Sequence, residues 1–155
     1  MNEMIQKSSK GHKVGSSGAA LAFLCFFMPW ILVSCGGQTT KVNGWDLASG
    51  TVIGSGFSAQ QIEGKPILFL VLLAALGVLA LAYFAFKRGS LTPMMDGYGL
   101  IALGAVPLLI LFFSFSGAKD QAAQQGVYLE YQIGLWGVVI GYIAAIAGGV
   151  LNLRE

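Results

Sequence analysis

Four segments of this chain are each long enough to cross a lipid bilayer and contain no acidic or basic residue. They are residues 15–34, 66–86, 98–115 and 131–151. A spanning helix needs about 20 predominantly apolar residues, and none of the four shows the two-residue alternation of a strand in a membrane barrel. The sequence therefore predicts an all-α membrane protein, with four transmembrane helices packed as one domain over residues 1–155.

The composition also indicates that most of the chain lies in a lipid bilayer. Hydrophobic residues make up 55% of the chain and charged residues only 10%, whereas soluble domains carry about 25% charged residues. In water, a domain with so few charges would expose large apolar patches and aggregate. The formal net charge of +2 is too small to indicate nucleic acid as a partner.

The charged residues around the apolar segments predict an orientation. The two terminal tails and the connection between the second and third segments contain the basic residues Lys7, Lys10, Lys13, Lys87, Arg88 and Arg154. In the other two connections, lysines are matched by acidic residues: Lys41, Lys65 and Lys119 against Asp46, Glu63, Asp120 and Glu130. Because basic residues accumulate on the cytoplasmic side, we expect residues 1–14 to be a cytoplasmic tail and both termini to be cytoplasmic. The membrane is expected to be a bacterial cytoplasmic membrane.

The end of the first apolar segment is compatible with a different processing of the chain. Leu32-Val33-Ser34-Cys35 fits the signal of bacterial lipoproteins, in which cleavage before the cysteine is followed by its lipidation. The chain would then be a lipid-anchored envelope protein with three spans. Against this, the apolar run is long for a signal peptide, and the later spans make a lipid anchor redundant. We expect an uncleaved first span, with lipidation at Cys35 as the alternative.

Residues 35–65 form a long connection between the first two segments, on the outer side. Thr39 to Val42 are β-prone, and Asn43-Gly44 is a strong signal for a tight hairpin turn. Trp45 to Leu47 are therefore predicted to return as a second strand. An isolated hairpin is marginally stable, so this loop has to pack on the helix ends. Trp45, Val42 and Leu47 form the candidate interaction surface, and the alternative role for Trp45 is an interfacial anchor.

A set of residues around this loop resembles a pattern in small bacterial four-pass membrane proteins of unknown function. It consists of Pro29-Trp30, Ser34-Cys35-Gly36-Gly37-Gln38 and Gly44-Trp45-x-Leu47-Ala48-x-Gly50. The resemblance implies a fold and carries no activity. Four spans with a β-prone first outer loop are also similar to claudins in layout. The claudin loop contains a disulfide, whereas this loop has no second cysteine after Cys35.

The apolar segments offer few groups for chemistry. Intramembrane ionisable residues mark ion paths and proton relays, and the four segments contain none. The single histidine, His12, lies in the basic tail, so the sequence predicts no metal site, no cofactor and no catalysis. A channel or transporter built from several copies would have to use uncharged groups, namely Tyr83, Ser114, Tyr142 and Asn152.

The fourth segment carries the clearest packing signal. Small residues recur along it at Gly134, Gly137, Gly141, Ala145, Gly148 and Gly149. Small residues let helices approach closely in lipid, so we expect a helix–helix contact here, either within the bundle or with another subunit. Within the bundle, the third segment is the expected partner, because it carries Gly97, Gly99, Gly104 and Ala105.

These features predict a non-catalytic accessory or assembly subunit of a membrane protein complex. It would act through helix packing and through its outer loop, with other membrane subunits or further copies of the chain as partners besides the bilayer. One alternative is an oligomeric channel or transporter component. The other is the lipid-anchored envelope protein with three spans.

Overall fold

The computed structural model of the chain describes residues 9–35, 37–53, 60–88, 93–124 and 126–154. The predictions for Lys7, for Gly36 and for residues 54–59 of the long connection lie outside the described residues. The elements in chain order are α1 (Ser9–Phe26), β1 (Pro29–Cys35), β2 (Gln38–Asn43), α2 (Gly44–Ser49), β3 (Thr51–Ile53), β4 (Gln60–Ile62), a 3-10 turn (Pro66–Leu68), α3 (Phe69–Arg88), α4 (Pro93–Phe115), α5 (Ala118–Gln124), β5 (Tyr128–Tyr131) and α6 (Ile133–Arg154).

The four long helices form an antiparallel bundle, in which α1 and α4 each pack against both α3 and α6. A Cβ atom added to Gly77 of α3 would lie 3.5 Å from the Leu103 side chain of α4. One added to Gly99 of α4 would lie 3.4 Å from Leu81 of α3. Residue numbers thus rise along one helix as they fall along its neighbour, as expected for long helices joined by short connections.

Three helical stretches are long and apolar enough to cross a membrane: Pro66–Phe84, Gly97–Gln124 and Ile133–Arg154. They overlap the second and fourth predicted segments to within a few residues at each end, whereas the third stretch continues nine residues beyond the predicted end at Phe115. The helix α1 is not among them, because polar and basic residues occupy its first half: Lys10, His12, Lys13, Ser16 and Ser17. The chain is therefore mostly helical, with three helices apolar enough to span a membrane.

The prediction for the first segment, residues 15–34, is wrong in its bounds. Its helix runs from Ser9 to Phe26, and Pro29–Cys35 is a β-strand. The physical reason is Pro29, which disfavours helical backbone at Met28 and has no N–H to continue a helix. The following Trp30, Ile31 and Val33 are aromatic or β-branched, and such residues favour strands. Hydropathy does not mark the change from helix to strand, because the whole segment is apolar.

A three-stranded antiparallel sheet lies at one end of the bundle, in the order β2-β1-β5. In this sheet, β1 pairs Cys35 with Gln38 of β2 and Ile31 with Tyr131 of β5. Gly37, between β1 and β2, has a φ of +84°, a conformation that favours glycine. The strands β3 and β4 form a separate two-stranded sheet.

The predicted hairpin with a turn at Asn43-Gly44 is also wrong. β2 is a strand as predicted, but it pairs with β1, and Trp45 to Leu47 belong to the helix α2. Asn43 caps that helix, because its side chain accepts a hydrogen bond of 2.8 Å from the Asp46 backbone N–H. The Asp46 carboxylate accepts in return from the Asn43 backbone N–H at 3.4 Å, which completes a capping box.

We call β1, β2, α2 and β5 together the cap. Its apolar side chains are continuous with the bundle core, since one buried cluster joins Trp30, Ile31 and Val42 to Val71 and Tyr142. The cap is therefore fixed to the helix ends by shared packing. This gives the β-prone connection the support that an isolated hairpin lacks.

Candidate functional site

The small residues of α6 lie against α1, which has small residues of its own at matching levels. A Cβ atom added to Gly141 would lie 2.5 Å from the Gly18 carbonyl oxygen and 2.9 Å from the Cβ atom of Ala22. One added to Gly148 would lie 2.6 Å from the carbonyl oxygen of Gly11. Neither leaves room for a side chain, so the two backbones touch over this whole length.

The remaining predicted packing residues of α6 lie against three neighbours, β1, α1 and α4. A Cβ atom on Gly134 would lie 2.5 Å from the Pro29 carbonyl oxygen, while Gly137 faces the Cys25 thiol of α1. Ala145 is fully buried. Gly149 faces α4 instead, where an added Cβ would lie 2.8 Å from the Gly97 carbonyl oxygen. The expectation that the third segment is the main partner is therefore wrong for most of this face.

Internal packing occupies this face from Gly134 to Gly149, so it is not available as a surface for another subunit. The signal in α1 was present in the sequence, because Gly11, Gly15, Gly18 and Ala22 follow helical spacing. The predicted segment begins at Gly15, whereas the helix begins at Ser9. The predicted segment therefore omits Gly11, which lies against Gly148 of α6.

The side chain of Trp30 is the centre of the cap. It is fully buried, and its indole N–H donates a hydrogen bond of 2.9 Å to the Cys25 carbonyl oxygen at the end of α1. Its ring meets that of Phe26 edge-on at a centroid distance of 5.3 Å, and Phe115 of α4 lies 6.1 Å away. Trp30 thus joins the ends of two long helices to β1.

Gly44, the first residue of the Gly44-Trp45-x-Leu47-Ala48 pattern, lies where a side chain would not fit. A Cβ atom there would lie 2.7 Å from the Trp30 ring and 2.7 Å from the Phe26 carbonyl oxygen. The indole therefore fits against bare backbone at the start of α2. Leu47 and Ala48 are buried on the same helix. The Pro29-Trp30 and Gly44-Trp45 parts of the pattern meet in space.

Of the three residues predicted as an outer surface, the structure leaves Trp45 accessible. Val42 and Leu47 are buried, and their role is internal packing. Trp45 is 46% exposed. Its ring stacks on Phe27 at 6.3 Å with an interplanar angle of 22°, and meets Phe69 edge-on at 5.3 Å. The exposed part of Trp45 therefore sits on a fixed aromatic base where the cap meets the bundle.

A second aromatic contact fastens β5 to α4. The Tyr131 hydroxyl donates a hydrogen bond of 3.2 Å to the Phe115 carbonyl oxygen, and the two rings meet edge-on. The Lys119 ammonium lies 4.6 Å from the centroid of the Tyr131 ring, a cation–π contact. Burial, and then the carboxylate of Asp120, raise the pKa of the Tyr131 hydroxyl. The neutral hydroxyl is thus the form that the fold favours.

Cys35 is the last residue of β1 and pairs with Gln38 of β2. Cleavage before Cys35 would remove α1 and nearly all of β1 from the chain. It would thereby separate β2 from β5, since both pair with β1. Lipidation of Cys35 stays a prediction that depends on processing of the chain.

The four uncharged groups named for a channel lie in different surroundings. Tyr142 is fully buried and donates a hydrogen bond to the Val71 carbonyl oxygen across the bundle. Asn152 is buried at the far end of α6, next to Gly11. The backbone carbonyl of Ser114 accepts a bond from Lys65, and Tyr83 is exposed beside Lys87. The four groups therefore lie in separate parts of the described bundle.

Over the described ranges, no cluster of three or more His, Cys, Asp or Glu side chains is arranged to hold a metal ion. Comparison with models of known protein families finds no match, and comparison with curated proteins finds none either. The cap around Trp30, with Trp45 on its surface, is the feature of the chain that geometry singles out.

Proposed function

We propose that this chain is a non-catalytic accessory subunit of a membrane protein complex, and that the cap is the surface that docks its partner. The observation that supports this most is Trp45. A large aromatic side chain is held on a fixed base and stays 46% exposed, although the same cap buries Trp30 completely. Exposed aromatic residues on rigid elements are typical anchors of protein interfaces.

The proposal includes α1 as a fourth span. Its contacts with α6 run from Gly11 beside Gly148 to Cys25 beside Gly137, a length of about 20 Å at 1.5 Å per helical residue. If α6 crosses the bilayer, α1 lies at the same depth beside it. The exposed Lys10 and Lys13 then lie near the end of α6, where long basic side chains extend to the interface.

The same arrangement supports cytoplasmic termini and an outer cap. The bundle end opposite the cap carries Lys10, Lys13, Lys87 and Arg154, all exposed. This is the distribution expected for the cytoplasmic side of a bacterial membrane. The cap would then face the outside, with Trp45 close to the membrane surface.

The test compares two exposed tryptophans. Trp45→Ala and Trp136→Ala each remove one half-exposed indole, at 46% and 57% exposure, but Trp136 lies on the lipid-facing side of α6. We expect the chain to co-purify in mild detergent with defined membrane proteins, and Trp45→Ala to lose them while Trp136→Ala retains them. Recovery of the chain alone, or equal results for the two variants, would contradict the docking role.

Intact mass tests the lipoprotein alternative. An uncleaved chain keeps α1, and its mass includes the residues that precede Cys35. A mass lacking the first 34 residues and carrying a diacylglycerol adduct would establish lipidation at Cys35 and remove α1 from the bundle. We expect the uncleaved mass.

A further inference from the structure

A groove of about 300 Å³ opens on the outer surface of the bundle, between the 3-10 turn and α4. Its lining is apolar apart from one residue and consists of Ile67, Val106, Leu109, Ile110, Phe113 and Ser114. Leu109 is 57% exposed and Phe113 is 72% exposed. Because α4 is a membrane span, this groove opens toward lipid, and its natural contents are hydrocarbon chains.

A positive charge is fixed at one end of the groove. The Lys65 ammonium donates a hydrogen bond of 3.0 Å to the Ser114 carbonyl oxygen, which belongs to the groove lining. The backbone of Lys65 is held as well, because its N–H donates to the Leu47 carbonyl oxygen at 2.8 Å. Its carbonyl oxygen accepts from the Leu68 N–H at 2.9 Å. The ammonium therefore has a defined position beside the groove.

The bonding capacity of this ammonium is only partly used. An ammonium has three N–H donors, and in the described part of the chain the Ser114 carbonyl is its one recorded acceptor. The Lys65 side chain is exposed. It lies where α4 ends and α3 begins, which is the depth of lipid headgroups if the cap lies just above the membrane. An anionic phosphate oxygen is the complementary group at that depth.

The dimensions agree with one lipid chain. Along α4, the groove runs from Ser114 to Val106, about 12 Å at 1.5 Å per residue. Half of the hydrocarbon core of a bilayer is about 15 Å thick. A chain that starts at the Lys65 end would thus stay in the groove for most of one leaflet.

We propose that this groove is a binding site for one anionic phospholipid, with an acyl chain along α4 and its phosphate on Lys65. The inference does not depend on the accessory role proposed above. It depends on α4 being a membrane span. The positive charge of Lys65 then faces the lipid phosphate, and the apolar groove along α4 holds the acyl chain.

The test measures binding of phosphatidylglycerol and phosphatidylcholine to the purified full chain by native mass spectrometry from detergent. We expect Lys65→Ala to weaken phosphatidylglycerol binding about fivefold. Phosphatidylcholine binding should weaken less, because the choline of that lipid already neutralises its phosphate. Lys41→Ala removes another exposed cap lysine, away from the groove, and should change neither affinity. Equal effects of the Lys65 and Lys41 variants would overturn the phosphate contact.

The acyl-chain contact has its own pair of variants on α4. Leu109→Trp fills the groove, whereas Phe112→Trp enlarges a neighbouring side chain that is 67% exposed and outside the lining. We expect Leu109→Trp to weaken binding of both lipids and Phe112→Trp to weaken neither. Unchanged binding in Leu109→Trp would overturn the site. So would inorganic phosphate that displaces phosphatidylglycerol completely at an equal concentration, because the acyl chain would then contribute nothing to binding.

Discussion

The contact between α1 and α6 and the packing around Trp30 are both tightly packed. The first uses the smallest residues, and the second uses one of the largest. In the helix contact, glycines bring two backbones together until no added side chain fits, as at Gly141 and Gly148. In the cap, one large indole fills the space between β1 and two helix ends. Lipid is as apolar as a side chain, so helices within it associate through close contact. If the cap lies outside the bilayer, as proposed, water there makes burial of an indole favourable.

The largest expected effect is that of Trp30→Ala. Removing a fully buried indole from a packed core costs about 3–5 kcal/mol. It also removes one of the two N–H donors to the Cys25 carbonyl oxygen, which keeps its bond from the Met28 N–H. We expect the cap to open while the bundle persists. Amide hydrogen exchange should therefore rise in β1, β2 and α2 far more than in α6. Equal loss of protection in both regions would show that cap and bundle unfold as one unit.

A somewhat smaller effect is expected for Gly141→Leu, in the opposite region. The new side chain has to displace the Gly18 carbonyl and Ala22, and overpacking of this kind costs about 3 kcal/mol. Helix separation should expose α1 and α6 to exchange and leave the sheet order intact. The matched control is Ala147→Leu, an enlargement on the exposed side of the same helix, for which we expect no change in the free energy of unfolding. A similar loss in the control would mean that added bulk anywhere on this helix, and not the close contact at Gly141, is responsible.

Tyr142→Phe removes the one side-chain hydrogen bond recorded between α6 and α3 in the described bundle. Interhelical hydrogen bonds in membranes contribute about 0.6 kcal/mol on average and at most about 1.7. We therefore expect a loss near 1 kcal/mol in the free energy of unfolding, measured by denaturation in mixed micelles. Tyr98→Phe alters a tyrosine that is 61% exposed and should have no measurable effect. A loss above 3 kcal/mol for Tyr142→Phe would mean that this hydroxyl, rather than the glycine contact, holds the bundle.

The two regions also differ in how well the sequence predicts them. The later three spans follow from length and apolarity, which burial in lipid imposes on every residue of a span. The face of small residues on α6, which includes Gly141 and Gly148, is also predictable from their spacing. Its partner is not, because α1 begins among Lys10, His12 and Lys13, where composition suggests a tail. A helix that packs closely against its neighbours needs less apolarity than one surrounded by lipid.

The cap was harder to predict for a different reason. Its central strand lies inside an apolar run, so hydropathy gave no boundary, and Pro29 was the local signal that a helix ends there. Asn43-Gly44 is compatible with a hairpin turn and with a helix cap. The choice between them depends on Trp30, which needs bare backbone at Gly44 and is distant in sequence. Pairing of β5 with β1 likewise joins segments about a hundred residues apart, as the register of Ile31 with Tyr131 shows.

The smallest expected effect concerns the pH dependence of the cap. Burial and Asp120 raise the pKa of Tyr131 above its ordinary value, so its stabilising effect is complete below about pH 10 and is lost as pH rises through the raised value. Tyr131→Phe lacks the hydrogen bond to Phe115 and should lower the free energy of unfolding by about 0.5–1 kcal/mol at neutral pH. The difference from the unmodified chain should shrink at high pH. Tyr128→Phe, on the same strand and 81% exposed, should show no such pH dependence. A difference for Tyr131→Phe that stays constant across this range would assign its effect to ring packing rather than to the hydroxyl.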